Sequence, residues 1–487
     1  MSVFTLEASL AFLGLVLLLL EAFRPEISRC TLGYTAMAGT ALALVLLPTC
    51  GTQLPVFMQA WHQIDTLALF YKGFALVITL LVLWLTLECA PYLTRFTLDG
   101  KLGEMFSLPL IVCAGMMWMA SARDLVTVFI SLELVTITFY VLVAFARKSA
   151  LSLEAGVKYL ILGALSTGVL VYGIAWIYGA AGSMNFERIG KALANPATSK
   201  AAALFGASLI LAGLGFKVAA APFHMWVPDV YQGAPTPVTT FLSVGSKAAG
   251  FVVLTRVLEA FLAKGSLIAG EVQGVLLIGG SLTVLLGSLP AIFQNSVKRL
   301  LAYSSISHAG YLLLALACGS GDRFDIGSSG IVAFYLATYL PMTVLGFLAL
   351  GLMRVNGQGE DLGDFQGLAK RSPVLALVIT IAFASLAGLP LTAGFIGKMF
   401  VFLSLVDQGC WGALSCAVIA AAAGFYYYFR IILSMYTTDG AEKTSFTLAP
   451  LTRMVAIALA LIILLLGVYP RPLEKVLTAV PSGVVTR

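Results

Sequence analysis

The sequence predicts an all-α polytopic membrane protein with about 14 transmembrane helices. Hydrophobic residues make up 60% of the 487 residues, charged residues make up only 11%, and the mean hydropathy is +0.98. Soluble domains carry about 25% charged residues, so this composition excludes a soluble enzyme. The net charge of +6 is not arranged as a basic stripe, so we expect contact with the lipid bilayer and none with nucleic acid.

Each predicted span is a run of about 20 mainly apolar residues, the length that crosses the hydrocarbon core of a bilayer. The first span is expected to be retained rather than cleaved as a signal peptide, because no basic region precedes it and it contains Glu7 and Glu21. The spans cover residues 3–23, 31–48, 66–88, 105–121, 124–146, 155–181, 201–222, 236–262, 272–293, 296–318, 327–353, 373–404, 409–436 and 450–469.

Spans 7 and 12 are predicted to be discontinuous. Span 7 runs into Pro222 and Pro228, and span 12 would be about 48 Å long as a straight helix but contains Gly388 and Pro390. Because these breaks are five spans apart, we expect spans 4–8 and 9–13 to form two inverted five-helix repeats, as in ion transporters. The predicted domains are an N-terminal three-helix segment (1–104), a first repeat (105–262), a second, inverted repeat (270–436), and a C-terminal helix and tail (437–487).

The loop charges predict the orientation in the membrane. With the N-terminus outside, thirteen basic residues fall in inner loops and nine in outer loops and the C-terminal tail. Lys and Arg are enriched in cytoplasmic loops, so both termini are expected outside.

The sequence offers no motif for a cofactor. The seven cysteines are scattered without a CxxC pair, which argues against an iron–sulfur or zinc site and against a disulfide framework. There is no GxxxxGK[ST] and no strand-led GxGxxG. We therefore expect no cofactor and no metal on this chain.

Seven basic residues fall inside predicted spans, where an ionisable side chain costs about 2.5–3.5 kcal/mol at the bilayer centre. Lys72, Arg256 and Arg430 lie nearest the ends of their spans, and their long side chains are expected to reach the membrane interface. Glu133 and Lys247 lie roughly 15 Å deep, while Lys217 and Lys398 lie beside the breaks. We expect these last four residues to take part in charge movement. The seven basic residues are Lys72, Lys158, Lys217, Lys247, Arg256, Lys398 and Arg430.

These residue types fit proton transfer. An apolar environment disfavours the charged form of a lysine, and a nearby carboxylate reverses that effect, so Glu133 with Lys217 would form a switchable proton site. The chain offers no second deep carboxylate, so it is poorly supplied for binding a sodium ion. Protons are therefore the expected cargo.

Four further residues are accessory candidates. Glu154 and Lys158 are four residues apart on one helix face, which fits either local helix support or proton uptake. His224 and His308 would extend the polar row, although a membrane histidine is also a common hydrogen-bond donor between helices.

Five long stretches closely resemble subunit N of bacterial proton-pumping NADH–quinone oxidoreductase, respiratory complex I, one of its antiporter-like membrane subunits. The resemblance covers residues from about 105 to 435. The stretches are ISLELVTITFYVLVAF (130–145), KYLILGALSTGVLVYGIAWIYGA (158–180), GFKVAAAPFHMWVPDVYQGAPTPVTTFLS (215–243), QNSVKRLLAYSSISHAGYLLLA (294–315) and SLAGLPLTAGFIGKMFVF (385–402).

The resemblance implies an antiporter-like fold and a role in the H⁺-translocating NADH:quinone oxidoreductase of the bacterial inner membrane. It implies no redox centre on this chain, with FMN, iron–sulfur clusters and quinone held by partner subunits. The expected neighbours are the antiporter-like M-type subunit and small K/J/A-type subunits. The family's proton-path residues fall on Glu133, Lys158, Lys217, His224, Lys247 and Lys398, with Glu154 as an accessory acid.

Two other functions remain open at this point. One is a cation/proton antiporter subunit of the Mrp type, which shares the fold. The other is a non-conducting scaffold subunit, in which the buried lysines only lock helices together.

Overall fold

A computed structural model describes residues 2–24, 26–51, 56–97, 100–318, 326–437 and 446–478. Three of the charges that predict the orientation, Arg323, Lys443 and Arg487, and parts of the predicted C-terminal domain lie outside these residues.

The described residues are almost entirely helical, with no strand beyond isolated β-bridges. The helices are α1 (Val3–Phe23), α2 (Arg29–Leu46), α3 (Thr66–Leu93), α4 (Gly103–Ala120), α5 (Leu125–Val143), α6 (Ala150–Ala181), α7 (Phe186–Leu193), α8 (Lys200–Val218), α9 (Trp226–Gly233), α10 (Thr236–Phe241), α11 (Lys247–Phe261), α12 (Ala269–Ala291), α13 (Val297–Cys318), α14 (Ser328–Val355), α15 (Leu368–Arg371), α16 (Pro373–Ala387), α17 (Ala393–Asp407), α18 (Trp411–Tyr436), α19 (Pro450–Val468) and α20 (Arg471–Thr478).

Within the described ranges, thirteen helices are long and apolar enough to cross a membrane, with α10 and α11 forming one of them. The pair α16 and α17 supplies the remaining span of the predicted fourteen, because neither half alone has the required length. The polytopic all-α class is therefore confirmed. The short helix α7 lies between the sixth and seventh spans, and the Asn185 side chain caps its N-terminus.

Both predicted breaks are present and have a local backbone cause. Helix α8 ends where Ala219 takes a left-handed φ of 64°, and the chain becomes helical again at Trp226. Helix α16 ends where Gly388 takes a φ of 96°, a conformation that glycine adopts without strain. Helix α17 then begins at Ala393. Each break frees backbone groups from helical pairing, and side chains pair some of them: the N–H of Ala221 donates to Thr283 Oγ1 at 2.9 Å, and Lys398 donates to the carbonyls of Leu386 and Ala387.

The two predicted five-helix units pack in the same order. In each unit the first helix contacts the second, the second helix contacts the third, and the third helix contacts the broken helix. The fifth helix contacts both the broken helix and the first helix. The almost fully buried spans are α10–α11, α13 and α14, whereas α1, α2, α6 and α19 expose much of their apolar surface. The core therefore lies where the two units meet.

Two charges expected to reach the interface are instead paired in the interior. Lys72 on α3 is 1% exposed and donates to Glu7 on α1. Arg256 on α11 is 2% exposed and makes two hydrogen bonds to Asp65, at 2.7 and 2.6 Å. Glu7, which the sequence places in the first span, is thus fully buried, and its pairing with Lys72 was not predicted.

Arg430 on α18 is the third charge that was expected to reach the interface. It donates to the carbonyls of Ile292 (2.8 Å) and Gln294 (2.5 Å), just beyond the end of α12. Its guanidinium therefore satisfies backbone acceptors that the helix leaves free.

Candidate functional site

Lys217 lies at the first helix break, one residue before the end of α8. Its Nζ donates to Thr136 Oγ1 on α5 at 2.9 Å. Thr136 in turn donates to the Leu132 carbonyl of its own helix. Helix α8 ends at Val218, directly after the lysine, and the lysine side chain contacts α5 at this break.

Glu133 lies one helical turn before Thr136 on α5. Its Oε1 accepts a hydrogen bond from Thr167 on α6 at 2.8 Å, and its side chain is only partly buried. Among the described residues no ion pair joins Glu133 to Lys217. The predicted switch pair is therefore not in direct contact in this structure, since the threonine one turn along α5 receives the ammonium instead.

Lys158 belongs to an ion-pair network at one end of the bundle. It pairs with Glu154 (2.8 Å), as the spacing predicts, and also with Asp229 on α9 (2.7 Å). Asp229 accepts a second ion pair from Arg299 on α13, at 2.9 Å. The sequence analysis missed Asp229 and Arg299, although both lie within the resembling stretches, because nothing in one sequence places α9 beside α6 and α13.

His224 lies in the connection between α8 and α9. The ring is half-buried, and its Nδ1 is buried without a hydrogen-bond partner in the part of the chain that the structure describes. The neighbouring Pro222 and Phe223 are exposed. The first break therefore carries two titratable groups, Lys217 before it and His224 within it.

Lys247 is the first residue of α11 and follows a π-helical turn, Leu242–Ser246. Its side chain is 3% exposed, and its Nζ donates to both the carbonyl and the hydroxyl of Ser305 on α13. The Nζ also lies 5.1 Å from the ring centroid of Tyr339. Single π turns occur frequently at functional sites, and here the turn directly precedes the buried ammonium.

His308 lies one turn beyond Ser305 on α13 and is fully enclosed. Its Nδ1 is 2.7 Å from the hydroxyl of Tyr335, and its Nε2 is 3.3 Å from the hydroxyl of Tyr428. Tyr428 also bonds Ser304. Helix α13 thus presents hydroxyls and an imidazole in succession, groups that can each give and accept a proton.

Lys398 lies on α17, beyond the second break. Its Nζ donates to the carbonyls of Leu386 and Ala387, both at 2.9 Å, which are the last carbonyls of α16. The ammonium therefore sits at the negative end of the helix dipole. It also lies 5.5 Å from the ring centroid of Tyr311.

The site as a whole joins both five-helix units. Helix α11 packs closely on the end of α8, since a Cβ on Gly250 would lie 2.9 Å from Val218. From Lys247, the polar side chains of α13 continue toward the second break and Lys398. The structure buries Lys247, His308 and Lys398 within the helical bundle and places Glu133 and Lys217 partly buried on α5 and α8. His224 lies in the first break, and Glu154 and Lys158 lie at an exposed edge.

Comparisons with known proteins identify relatives across the whole chain. The family model described as "NADH:quinone oxidoreductase/Mrp antiporter, TM" matches residues 122–424. NADH-quinone oxidoreductase subunit N of Moorella thermoacetica is 38% identical, over 97% of this chain and 96% of its own length.

Solved structures share the fold. A chain of respiratory complex I from Thermus thermophilus with bound aureothin is 32% identical, with a TM-score of 0.80, over 97% of this chain and 99% of that chain. A chain of the Mrp complex from Dietzia sp. DQ12-45-1b is 22% identical, with a TM-score of 0.78, over 98% of this chain and 96% of that chain. At that identity the second likeness is one of fold alone.

Proposed function

Because the chain belongs to the NADH:quinone oxidoreductase/Mrp antiporter membrane family, and within it to NADH-quinone oxidoreductase subunit N, we propose that Glu133, Lys217, Lys247 and Lys398 carry its proton translocation. The chain is a proton-translocating, multi-pass membrane subunit of a multisubunit respiratory complex. In the proposed mechanism, quinone reduction in other subunits drives proton transfer through these four residues.

One observation carries the assignment of the site. Lys217, Lys247 and Lys398 each donate to hydroxyls or backbone carbonyls, and none of them has a carboxylate within ion-pair distance among the described residues. An ammonium without a counter-charge can release its proton without leaving a buried carboxylate unpaired. The neutral amine still carries two N–H donors, so the hydroxyl and carbonyl acceptors can remain hydrogen-bonded in both protonation states.

The accessory groups would extend this path. Lys158 and Glu154 form an exposed ion pair and would take up protons at one face. His224 would relay them at the first break, and His308 would do so between Lys247 and Lys398. Thr136, Ser305 and the tyrosines around His308 supply hydroxyls between the titratable groups.

The arrangement of the complex forms the second part of the proposal. The chain itself would hold no redox centre, and FMN, iron–sulfur clusters and quinone would be bound by partner subunits. Its neighbours would be the antiporter-like M-type subunit and small K/J/A-type subunits of the bacterial inner membrane. The loop charges support periplasmic termini, and the shared packing order of spans 4–8 and 9–13 supports two inverted repeats as the domains.

Replacing Lys217 tests the proposed path. In the assembled complex, Lys217→Ala should lower proton pumping together with coupled quinone reduction, because the group at the first break can no longer hold a proton. Pumping is measured as proton uptake by inverted membrane vesicles on NADH addition, and quinone reduction as NADH consumption. Lys264→Ala, which removes an exposed loop lysine, is the control. Wild-type rates of proton pumping and of quinone reduction in Lys217→Ala would contradict the assignment.

The Mrp-type alternative is tested with the same chain. A stand-alone antiporter would exchange Na⁺ or K⁺ for protons in vesicles that lack any NADH or quinone partner, whereas the proposed function predicts no such exchange. Co-purification with flavin and iron–sulfur subunits would point the same way.

A further inference from the structure

The short helix α9 makes polar contacts with both five-helix units. On one side Asp229 receives Lys158 of α6. On the other side three residues contact α13: Asp229 and Gln232 accept from Arg299 at 2.9 and 3.0 Å, and the Tyr231 hydroxyl is 3.2 Å from Ser305 Oγ. Just beyond the helix, the carbonyl of Ala234 accepts from Lys298 at 2.8 Å. Eight residues thus connect the two units.

Ser305 is the residue that receives the buried ammonium of Lys247. A continuous chain of contacts therefore runs from the exposed Lys158, through Asp229 and the body of α9, to Tyr231, Ser305 and Lys247. This chain does not pass through Lys217. Because Asp229 and Tyr231 lie on one short helix, a displacement of Asp229 moves the tyrosine hydroxyl relative to Ser305.

Stability alone does not account for Asp229. Its side chain is 35% exposed, and those of Lys158 and Arg299 are 41% and 31% exposed. Ion pairs with this much exposed side-chain surface are not of the fully buried kind whose loss is strongly destabilising. The buried side chains of Trp226, Val227 and Val230 supply the packing that stabilises α9, and the contacts of Asp229 fix where its polar face lies relative to α6 and α13.

We propose that Asp229 is a positioning residue of the proton path. Because it pairs with both Lys158 and Arg299, it fixes the position of α9 so that the Tyr231 hydroxyl remains hydrogen-bonded to Ser305. It thereby couples the charge on Lys158 to Lys247. The proposal rests on the proposed function of Lys247 and Lys158. It concerns binding and position only, and no bond other than hydrogen bonds is made or broken by Asp229.

The test compares two single variants, their double variant and Asp229→Glu in the assembled complex in membrane vesicles. Asp229→Asn removes the charge, and Tyr231→Phe removes only the hydroxyl at the other end of the contact chain. Each should lower the pumping rate about two- to fivefold, the loss expected for one hydrogen bond. The double variant should be no worse than the more severe single variant, because both changes interrupt one coupling. Asp229→Glu should restore at least part of the rate.

The matched control is Glu271→Gln, which removes a similarly exposed carboxylate from the ion pair with Lys200 (2.6 Å) between α8 and α12. It should pump normally. Wild-type behaviour of Asp229→Asn, multiplicative losses in the double variant, or an equal loss in Glu271→Gln would each overturn the proposal. If Asp229→Asn does not assemble, Tyr231→Phe decides alone: normal pumping in that variant contradicts the coupling.

Lys217→Ala separates this inference from the proposed function. If Lys217→Ala loses pumping while Asp229→Asn and Tyr231→Phe do not, only the inference about α9 fails. If Lys217→Ala pumps normally, the proposed function itself fails.

Discussion

Two groups of cations lie on the membrane-spanning helices but differ in their partners. Near the ends of the spans, Lys72 pairs with Glu7 and Arg256 pairs with Asp65. In the central row, Lys217, Lys247 and Lys398 donate to hydroxyls and carbonyls. Position within a membrane-spanning helix alone therefore does not distinguish these two groups of cations.

The difference teaches how the two groups should respond to substitution. A cation with a buried carboxylate partner is fixed in its charged state, and removing the partner leaves an uncompensated charge, which is strongly destabilising. Removing a lysine that is hydrogen-bonded only to hydroxyls or carbonyls leaves no unpaired charge behind. Its removal should cost function and leave the fold largely intact.

The largest effect on stability is expected at the buried pair of α1 and α3. Glu7→Gln leaves the 1%-exposed Lys72 without its counter-charge, so it should destabilise the subunit by about 3–5 kcal/mol. The measurement is the thermal unfolding temperature of the purified complex in detergent.

The double variant Glu7→Gln with Lys72→Met is the control for this pair. It should recover most of the lost stability, because replacing both members of a buried pair by uncharged groups is often close to neutral. Equal stability of Glu7→Gln and the wild type would show that this pair is not structural and would remove the contrast with the central row.

A smaller effect, with a defined pH dependence, is expected at Asp65. Burial raises the pKa of this carboxyl, but the hydrogen bonds and charge of Arg256 and the backbone N–H of Ala68 outweigh it and bring the pKa below its usual value. A carboxyl with a lowered pKa stabilises the fold above its unfolded-state pKa, and this contribution is lost as the pH falls through the folded-state pKa.

Asp65→Asn should therefore cost about 2–3 kcal/mol at every pH from about 5 to 8. The cost should shrink only below about pH 4, the ordinary range of an aspartate. Thermal unfolding of the wild-type and Asp65→Asn complexes across this range checks it. A cost that already declines near pH 6 would contradict the role of Arg256.

The sequence is sufficient to predict the spans and the two breaks, because these depend on local composition. Apolar run length identifies the helices, and glycine and proline near residues 222 and 390 mark where α8 and α16 stop. The depth of Lys247 within its span likewise follows from counting residues. These are properties of a short stretch of chain.

The pairing of charges could not be predicted, because it depends on which helices become neighbours. Glu7 and Lys72 are 65 residues apart, and Asp65 and Arg256 are 191 apart. Lys217 contacts Thr136 rather than Glu133. These two residues are one helical turn apart on α5, and the sequence does not show which of them faces the lysine. Asp229 was missed for the same reason, since its partners come from α6 and α13.

Lys247→Met, assayed in one preparation for both stability and pumping, tests most directly the claim that the carboxylate-free lysines form the proton path. Methionine has a similar length and suits a buried site, so the unfolding temperature should stay close to that of the wild type. The proton-to-electron ratio and the coupled rate should both fall. A Lys247→Met complex that pumps normally, whatever its stability, would contradict the claim and favour a scaffold role for the buried lysines.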